Sequence, residues 1–132
     1  MLTSVTGALF VLHGLVHVLY AGQSSQFFEL RRRMTWPDAS WAFSKLFGDE
    51  RIRQVGTIAL TLTALGFVAG GLGLFLGQGW WRPFALGAAL LSSVIFILLW
   101  DGKFLALPDQ GLIGLLINLG ILFVISIWKW PA

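Results

Sequence analysis

The 132-residue sequence contains no cysteine and few charged side chains. The absence of cysteine excludes disulfides, thiolate metal sites, iron–sulfur clusters and redox dithiols. Charged residues make up 11% of the chain and hydrophobic residues 57%, whereas a soluble domain is about 25% charged and 45–50% apolar. Such a chain has too little charge to cover a soluble monomer, and it is too apolar to be disordered. We therefore predict an integral membrane protein.

Four long apolar stretches have the length of membrane-spanning helices. They cover about residues 2–20, 55–76, 83–100 and 112–128, and each is close to the ~20 residues that cross a bilayer core. The first stretch lacks the basic start of a cleaved signal peptide and is interrupted by two histidines, so we expect it to be retained. The sequence predicts an all-α fold, a polytopic four-helix membrane bundle that forms a single domain over residues 1–132.

Lysine and arginine are distributed unevenly among the connections. The loop over residues 21–54 and the connection after the third stretch hold seven of them, whereas Arg82 and Lys129 lie on the opposite side. The positive-inside rule then places the long loop inside and both termini outside. We expect a prokaryotic inner membrane. A nucleic-acid partner is excluded, because the chain has no soluble basic domain.

The long inner loop is expected to contain structure of its own, because long unstructured loops are uncommon in compact proteins. Residues 38–47 follow a helix-start signal and mix apolar with polar positions, which predicts a short amphipathic helix at the interface. Residues 26–34 are a candidate extension of helix 1. Asp49 and Asp109 are expected to cap the second and fourth membrane helices.

Two histidines lie inside the first predicted helix. His13 and His17 are one helical turn apart, and Tyr20 follows on the same face. Polar groups inside a bilayer are costly, so each needs a reason. One interpretation is a ligand, proton or metal site. The other is a pair of neutral imidazoles that hydrogen-bond to a neighbouring helix.

Asp101 and Asn118 are the residues expected to face the histidines. Asp101 ends the third helix, and Asn118 lies about two turns into the fourth helix from the same side. We predict a cluster of His17, Tyr20, Asp101 and Asn118 with His13 deeper, in which Asp101 orients His17. Simpler alternatives are a water-exposed or Lys103-paired Asp101 and an interhelical hydrogen bond from Asn118. Ser92 and Ser93 lie in the middle of the third helix.

The histidine spacing does not predict a metal site. The zinc-protease pattern requires a glutamate after the first histidine, and Gly14 occupies that position here. Two histidines are also too few for a membrane di-iron centre. A single axial histidine for a tetrapyrrole stays open, so the cofactor is not determined.

Two further patterns concern contacts of the helices and the loop. The Gly66-x-x-x-Gly70 and Gly73-x-x-x-Gly77 spacings favour close helix packing, within the chain or across a dimer. A run of three arginines near Phe27 and Phe28 predicts either anionic lipid headgroup contacts or a plain topology signal. These arginines are Arg31, Arg32 and Arg33.

The chain resembles the DoxX-like small membrane proteins. Its four short helices and long first inner connection carry this resemblance, most of all in the segment Phe84–Trp100 with Gly87 and the Ser92-Ser93 pair. The resemblance implies a lipid-soluble redox partner such as a quinone, and no catalytic residue carries over from it. Small multidrug exporters also have four helices, but they carry an essential acidic residue in the first helix, where this chain has His13. This difference argues against an exporter of that family.

From these observations we predict a binding or complex-forming membrane subunit. It would hold a lipid-like or quinone-like molecule, or a partner helix, near the inner leaflet. Membrane lipids, a second copy of the chain or a larger membrane complex are the expected partners. One alternative is a homodimeric proton-coupled transporter that uses His13 and His17. Another is a membrane enzyme with His17 as the general base and Asp101 as its orienting group.

Overall fold

The computed structural model describes residues 1–130, and these residues form helices and turns without strands. Three helices are each long and apolar enough to cross a membrane, and a bent pair of helical segments, angled at 67°, qualifies together as a fourth span. The predicted all-α fold is confirmed. The helices are α1 (Leu2–Ser24), α2 (Ser44–Phe47), α3 (Asp49–Phe75), α4 (Trp81–Leu99), a 3₁₀ helix (Phe104–Gln110) and α5 (Leu112–Ser126).

The first helix is longer than predicted, but it does not continue into residues 26–34. It ends at Ser24 because Gln26 adopts a left-handed backbone conformation with φ of 62°. The backbone N–H groups of Gln26 and Phe27 then donate to Gln23 and Gly22, which satisfies carbonyls of the last turn. The predicted extension of helix 1 is therefore wrong, and the loop shortens to residues 25–48.

The predicted interfacial helix over residues 38–47 forms only one turn, α2. The residues before it bind the end of α4 instead: Ser40 Oγ donates to the backbone oxygen of Leu98, and Trp41 Nε1 donates to that of Ile97 at 2.7 Å. These carbonyls lack intrahelical donors because α4 stops at Leu99. The loop side chains therefore form a cap for α4 rather than a helix.

The two predicted aspartate caps are also wrong. Asp49 is the first residue of α3, after the N-cap Gly48, and its charge lies at the positive end of the helix dipole. Asp109 lies inside the 3₁₀ helix, and the N-cap of α5 is Gly111, which has φ of 92°. A glycine occupies this position because a residue with a side chain would be strained at a positive φ.

The helices pack in the order α1, α3, α4 and α5, each against the next. Their interior combines large apolar side chains, such as Leu60, Phe67 and Phe96, with small and polar residues, and many further leucine, isoleucine and valine side chains cover the outside. At one crossing, a Cβ at Gly71 would lie 2.6 Å from the backbone oxygen of Gly7. Gly66 and Gly70 instead face Ala88 and Ala85 of α4. The glycine pattern of α3 thus packs helices within one chain.

The bundle has two distinct ends. At one end α1 ends, α3 begins and α4 ends, and we call it the arginine end because Arg31, Arg32 and Arg33 lie in its loop. Gln23 holds this loop against α1, since its Nε2 donates to the backbone oxygen of Trp36 at 2.5 Å and its Oε1 accepts from the N–H of Leu30 at 3.0 Å. The other end contains the start of α1 and the α3–α4 turn.

Candidate functional site

The two histidines of α1 lie side by side against a buried phenylalanine. The rings of His13 and His17 meet edge to face with centroids 4.8 Å apart. Phe67 of α3 is completely buried, and its ring centroid lies 4.7 Å from that of His13 and 5.5 Å from that of His17. The spacing of one helical turn thus places both imidazoles on the same face, as expected.

Hydrogen bonds join four residues of three helices into a closed polar network. His13 Nε2 lies 2.8 Å from Asn118 Oδ1, and Asn118 Nδ2 donates to Ser92 Oγ at 2.6 Å. Ser92 Oγ lies 2.7 Å from His17 Nε2, and His17 Nδ1 lies 2.9 Å from the backbone oxygen of His13. The network links α1 to α5, α5 to α4 and α4 back to α1.

The partners determine which atoms donate, because a backbone oxygen only accepts. His17 Nδ1 must carry the proton that reaches this oxygen, so the Nε2 of neutral His17 accepts from the hydroxyl of Ser92. Ser92 has then used its single proton and accepts from the amide of Asn118. The oxygen of Asn118 accepts in turn, so His13 carries its proton on Nε2.

One ring nitrogen of the two histidines, Nδ1 of His13, is free to accept a hydrogen bond from a ligand. With the proton on Nε2, Nδ1 of His13 is an acceptor, and it has no hydrogen-bond partner among residues 1–130. The buried polar side-chain atoms that lack a partner in the described chain are Trp36 Nε1 and Asp38 Oδ1. His13 Nδ1 is not among these fully buried atoms, so it is at least partly exposed, whereas both nitrogens of His17 are engaged.

The structure brings together some of the predicted site residues and separates others. His13, His17 and Asn118 meet in the polar network, but Tyr20 and Asp101 do not join it. The ring of Tyr20 packs edge to face on Trp36, with centroids 5.0 Å apart. Tyr20 lies beyond the last turn that α1 shares with the network and faces the loop instead.

Asp101 does not orient His17, contrary to the prediction. It follows the extended residue Trp100, which ends α4, so its carboxylate lies in the connection rather than on the helix. There Oδ1 accepts from the N–H of Lys103 at 2.9 Å, and Oδ2 lies 3.9 Å from the ammonium of Lys103. Asp101 thus pairs locally with Lys103, as in the simpler alternative. The alternative of an enzyme in which Asp101 orients His17 as the general base therefore loses its basis.

The site also contains residues that the prediction did not assign to it. Ser92 lies in the middle of an apolar helix, and that position is itself a sequence signal, because a hydroxyl group inside a bilayer requires a hydrogen-bond partner. Ser93 instead satisfies its hydroxyl locally on Ala89 at 2.8 Å. Phe67 could not be identified from the sequence, since nothing distinguishes one apolar residue from the others in an apolar helix.

An apolar groove runs beside the polar network, between α1 and α5. These two helices are separated because α5 packs on α4. The groove has a volume of about 650 Å³ and extends from Leu2 to Val16, in the half of the bundle away from the arginine end. Its polar members are Thr6 and His13, and the others include Leu9, Phe10, Ile117, Gly120, Ile121 and Val124. The hydroxyl of Thr6 donates to its own helix at Leu2.

The three predicted headgroup arginines lie in the loop after α1, away from the polar network. Arg31 forms an ion pair with Asp109 of the 3₁₀ helix, and both side chains are more than half exposed. All three arginines line a small cavity of about 180 Å³ beside this pair. The arginine run therefore joins the first loop to the segment that precedes α5.

Asp38, at the arginine end, has a carboxyl group whose pKa is changed by its surroundings in the fold. Burial raises the pKa of its carboxyl group above the usual value, the positive charge of Arg53 lowers it, and the negative charge of Asp49 raises it. Asp38 is thus protonated more readily than a solvated aspartate. It lies in the loop after Trp36 and is not part of the polar network.

Residues 1–130 contain no group of three or more histidine, aspartate or glutamate side chains placed to hold a metal ion. Comparison of this chain with protein-family models, with curated proteins and with solved structures gives no match. The function must therefore be argued from the groove, the polar network and the loop.

Proposed function

We propose that this chain is an integral membrane protein that binds a lipophilic molecule with a hydroxyl head group. The chain of the ligand would lie in the groove between α1 and α5, and its hydroxyl would donate to His13. One observation carries the proposal: His13, which has an accessible acceptor nitrogen, lines an otherwise apolar groove. The helices are long and apolar enough to span a membrane, which supports the proposal because the groove of an inserted chain would lie among lipid chains.

The dimensions of the groove suit a single long chain. Its volume of about 650 Å³ lies within the about 300–1,000 Å³ that is typical of ligand cavities. Along α1 it extends from Leu2 to Val16, which corresponds to about 20 Å at the rise of an α-helix. An extended hydrocarbon or isoprenoid chain fits this shape better than a compact polar solute.

Selection among lipophilic molecules would depend on the head group. Inside a bilayer, lipid tails are as apolar as the walls of the groove, so burial of a chain gains little by itself. A hydrogen bond to Nδ1 of His13 distinguishes a ligand with a donor from one without. A quinol carries such hydroxyl donors, whereas the oxidised quinone has only acceptors. The resemblance to DoxX-like proteins, which implies a lipid-soluble redox partner, agrees with this choice.

Blocking the groove is the first test. Gly120 lines the groove, and a Cβ at this position would meet nothing within 4 Å, so Gly120→Leu fills the groove without a clash. Gly114 of the same helix is equally open but does not line the groove, so Gly114→Leu is the matched control. The probe is a benzoquinol with a decyl chain, kept reduced under anaerobic conditions and titrated into protein in nanodiscs. We expect Gly120→Leu to weaken binding about tenfold or more, and Gly114→Leu to leave it unchanged.

The redox state of the probe tests the head group. The reduced probe should bind the wild-type protein more tightly than its oxidised form, and His13→Phe should remove this preference. Equal binding of the two forms to the wild type would contradict a role for the acceptor nitrogen. If Gly120→Leu converts a dimer into a monomer and leaves binding of the probe intact, a second copy of the chain occupies the groove and the proposal fails.

A further inference from the structure

The three arginines of the loop form a tight turn at the end of α1. The N–H of Met34 donates to the backbone oxygen of Arg31 at 3.0 Å, which places Arg32 and Arg33 at the tip. Arg33 adopts a left-handed conformation with φ of 64°, which is uncommon for a residue other than glycine. The turn thus presents consecutive guanidinium groups beside the 3₁₀ helix.

The cavity beside this turn has an excess of positive charge. It measures about 180 Å³ and is lined by the three arginines, with Asp109 as its acidic member. Asp109 pairs with Arg31, whereas Arg32 and Arg33 form no ion pair among residues 1–130. Two guanidinium groups are therefore available to an anion that enters the cavity.

A second cavity adjoins the first and has an apolar wall. It measures about 300 Å³ and shares Arg31, Met34 and Asp109 with the arginine cavity. Its far wall is formed by α1, mainly by Leu19 and Tyr20. An arginine-lined cavity thus borders, across Arg31, Met34 and Asp109, a cavity with an apolar wall on α1.

We propose that these joined cavities bind a phosphate ester that carries a hydrocarbon chain. Arg32 and Arg33 would contact the phosphate group, since guanidinium groups match phosphate oxygens in shape and charge. The hydrocarbon chain would lie along Leu19 and Tyr20. The turn lies in the loop that follows α1, and basic residues beside the end of a membrane-spanning helix are placed to meet anionic lipid headgroups. The apolar wall favours a membrane phospholipid over a soluble phosphate compound as this ligand.

This site is separate from the groove of the proposed function. Val16 is the one lining residue that the second cavity shares with the groove, and the arginine cavity shares none. The groove and its histidine lie toward the start of α1, whereas the arginine turn follows the end of that helix. The two sites can therefore be tested one at a time.

The acidic residue of the cavity gives the proposal a distinctive test, because its removal should strengthen the binding of an anionic ligand. Asp109 neutralises Arg31 in the free protein, so it competes with any bound phosphate. Asp109→Asn should release Arg31 and strengthen the binding of an anionic ligand. Loss of Arg32 or Arg33 should weaken it. A purely structural role for the Arg31–Asp109 pair predicts no such gain.

The experiment measures which lipid remains bound in nanodiscs that contain equal amounts of phosphatidylglycerol and phosphatidylcholine. Native mass spectrometry of the released protein reports the lipid that it retains. Arg32→Gln with Arg33→Gln is compared with Lys45→Gln and Arg51→Gln, which remove the same charge near the same end of the bundle without touching either cavity. Nanodiscs expose both faces of the protein, so any change in membrane orientation does not affect the result.

We expect the wild type to retain phosphatidylglycerol preferentially, and Asp109→Asn to retain more. The double arginine variant should lose about fivefold in affinity per arginine, the value of one basic contact at a membrane surface. The control pair should lose much less. Equal retention of the two lipids by the wild type, or equal losses in both double variants, would overturn the proposal.

Competition with soluble phosphate compounds identifies the source of the ligand. Glycerol 3-phosphate and inorganic phosphate are added to the wild-type protein in detergent together with phosphatidylglycerol. Failure to displace the lipid supports a phospholipid site, whereas displacement at comparable concentrations would show that the hydrocarbon chain is not recognised and would overturn the proposal. Gly120→Leu should leave phosphatidylglycerol retention unchanged, so failure of the groove proposal and failure of this one are distinguishable.

Discussion

Single polar residues in the interior of the bundle are matched to partners on neighbouring helices. His17, Ser92 and Asn118 are buried, and the side-chain nitrogens and oxygens described for them are hydrogen-bonded. In a bilayer the cost of an unpaired polar group is high, so such residues persist where they connect helices or bind a ligand. His13 combines both roles, because one nitrogen joins the network and the other is accessible.

Neighbouring serines allow the polar network to be tested. Ser92→Ala removes a donor to His17 and an acceptor for Asn118, and should lower the free energy of unfolding by about 1–3 kcal/mol. Ser93→Ala should change it by less than about 0.5 kcal/mol, because the hydroxyl of Ser93 bonds only to its own helix. Unfolding in mixed detergent micelles measures both. Equal effects of the two substitutions would show that the network does not stabilise the bundle.

At the scale of the helices, close backbone approach sets which pairs can pack. Gly7 and Gly71 allow α1 and α3 to meet at van der Waals distance, and a Cβ at Gly14 would lie 2.9 Å from the backbone oxygen of Ala64. Many bulky apolar side chains also face outward, where lipid replaces protein as their neighbour. The α1–α3 pair is therefore held by close backbone approach at the glycines together with buried side chains such as Phe10 and Phe67.

A matched pair of glycine substitutions tests this packing. Gly71→Ala should lower the free energy of unfolding by about 1–3 kcal/mol, because its methyl group would meet the backbone oxygen of Gly7 and Cγ2 of Val11, which lie 2.6 and 2.7 Å from that position. Gly87→Ala on α4 faces open space and should be neutral or stabilising by up to about 1 kcal/mol. The same unfolding assay applies. A harmless Gly71→Ala would mean that α1 and α3 are less closely packed than described.

The whole molecule is asymmetric along the bundle axis. Most of its basic residues lie at the arginine end, and the opposite end has Arg82 and Lys129. Three helices are long and apolar enough to span a membrane, with a fourth span if the 3₁₀ helix and α5 act together. The positive-inside rule applied to this distribution predicts that the arginine end faces the cytoplasm.

Cysteine labelling tests the orientation, and the absence of native cysteine removes any background. Gln78 lies exposed in the α3–α4 turn, and Glu29 lies exposed in the loop at the arginine end. In intact bacterial cells, Gln78→Cys should react with a membrane-impermeant maleimide, whereas Glu29→Cys should react only after lysis. The reverse labelling pattern would show that the positive-inside rule fails for this chain.

The sequence alone determined the class of the protein and most of its helices. Composition and the length of the apolar stretches require helical segments suited to a membrane, since a backbone in hydrocarbon must satisfy its own hydrogen bonds. The spacing of His13 and His17 likewise placed both imidazoles on one helix face. Asn118 was correctly expected near them, because it lies about two turns into the fourth helix from the end at which the helices were predicted to meet.

Only the tertiary structure decided which residues lie together at the ends of the helices and where a groove opens between two helices. Asp101 was misplaced because helical periodicity stops applying where α4 ends, and that end depends on loop contacts such as those of Ser40 and Trp41. Tyr20 was misplaced because the folded loop brings Trp36 against its ring. The groove could not be predicted either. Its existence depends on α5 packing against α4 and not against α1, and apolar helices of similar composition carry no local signal that selects one neighbour over another.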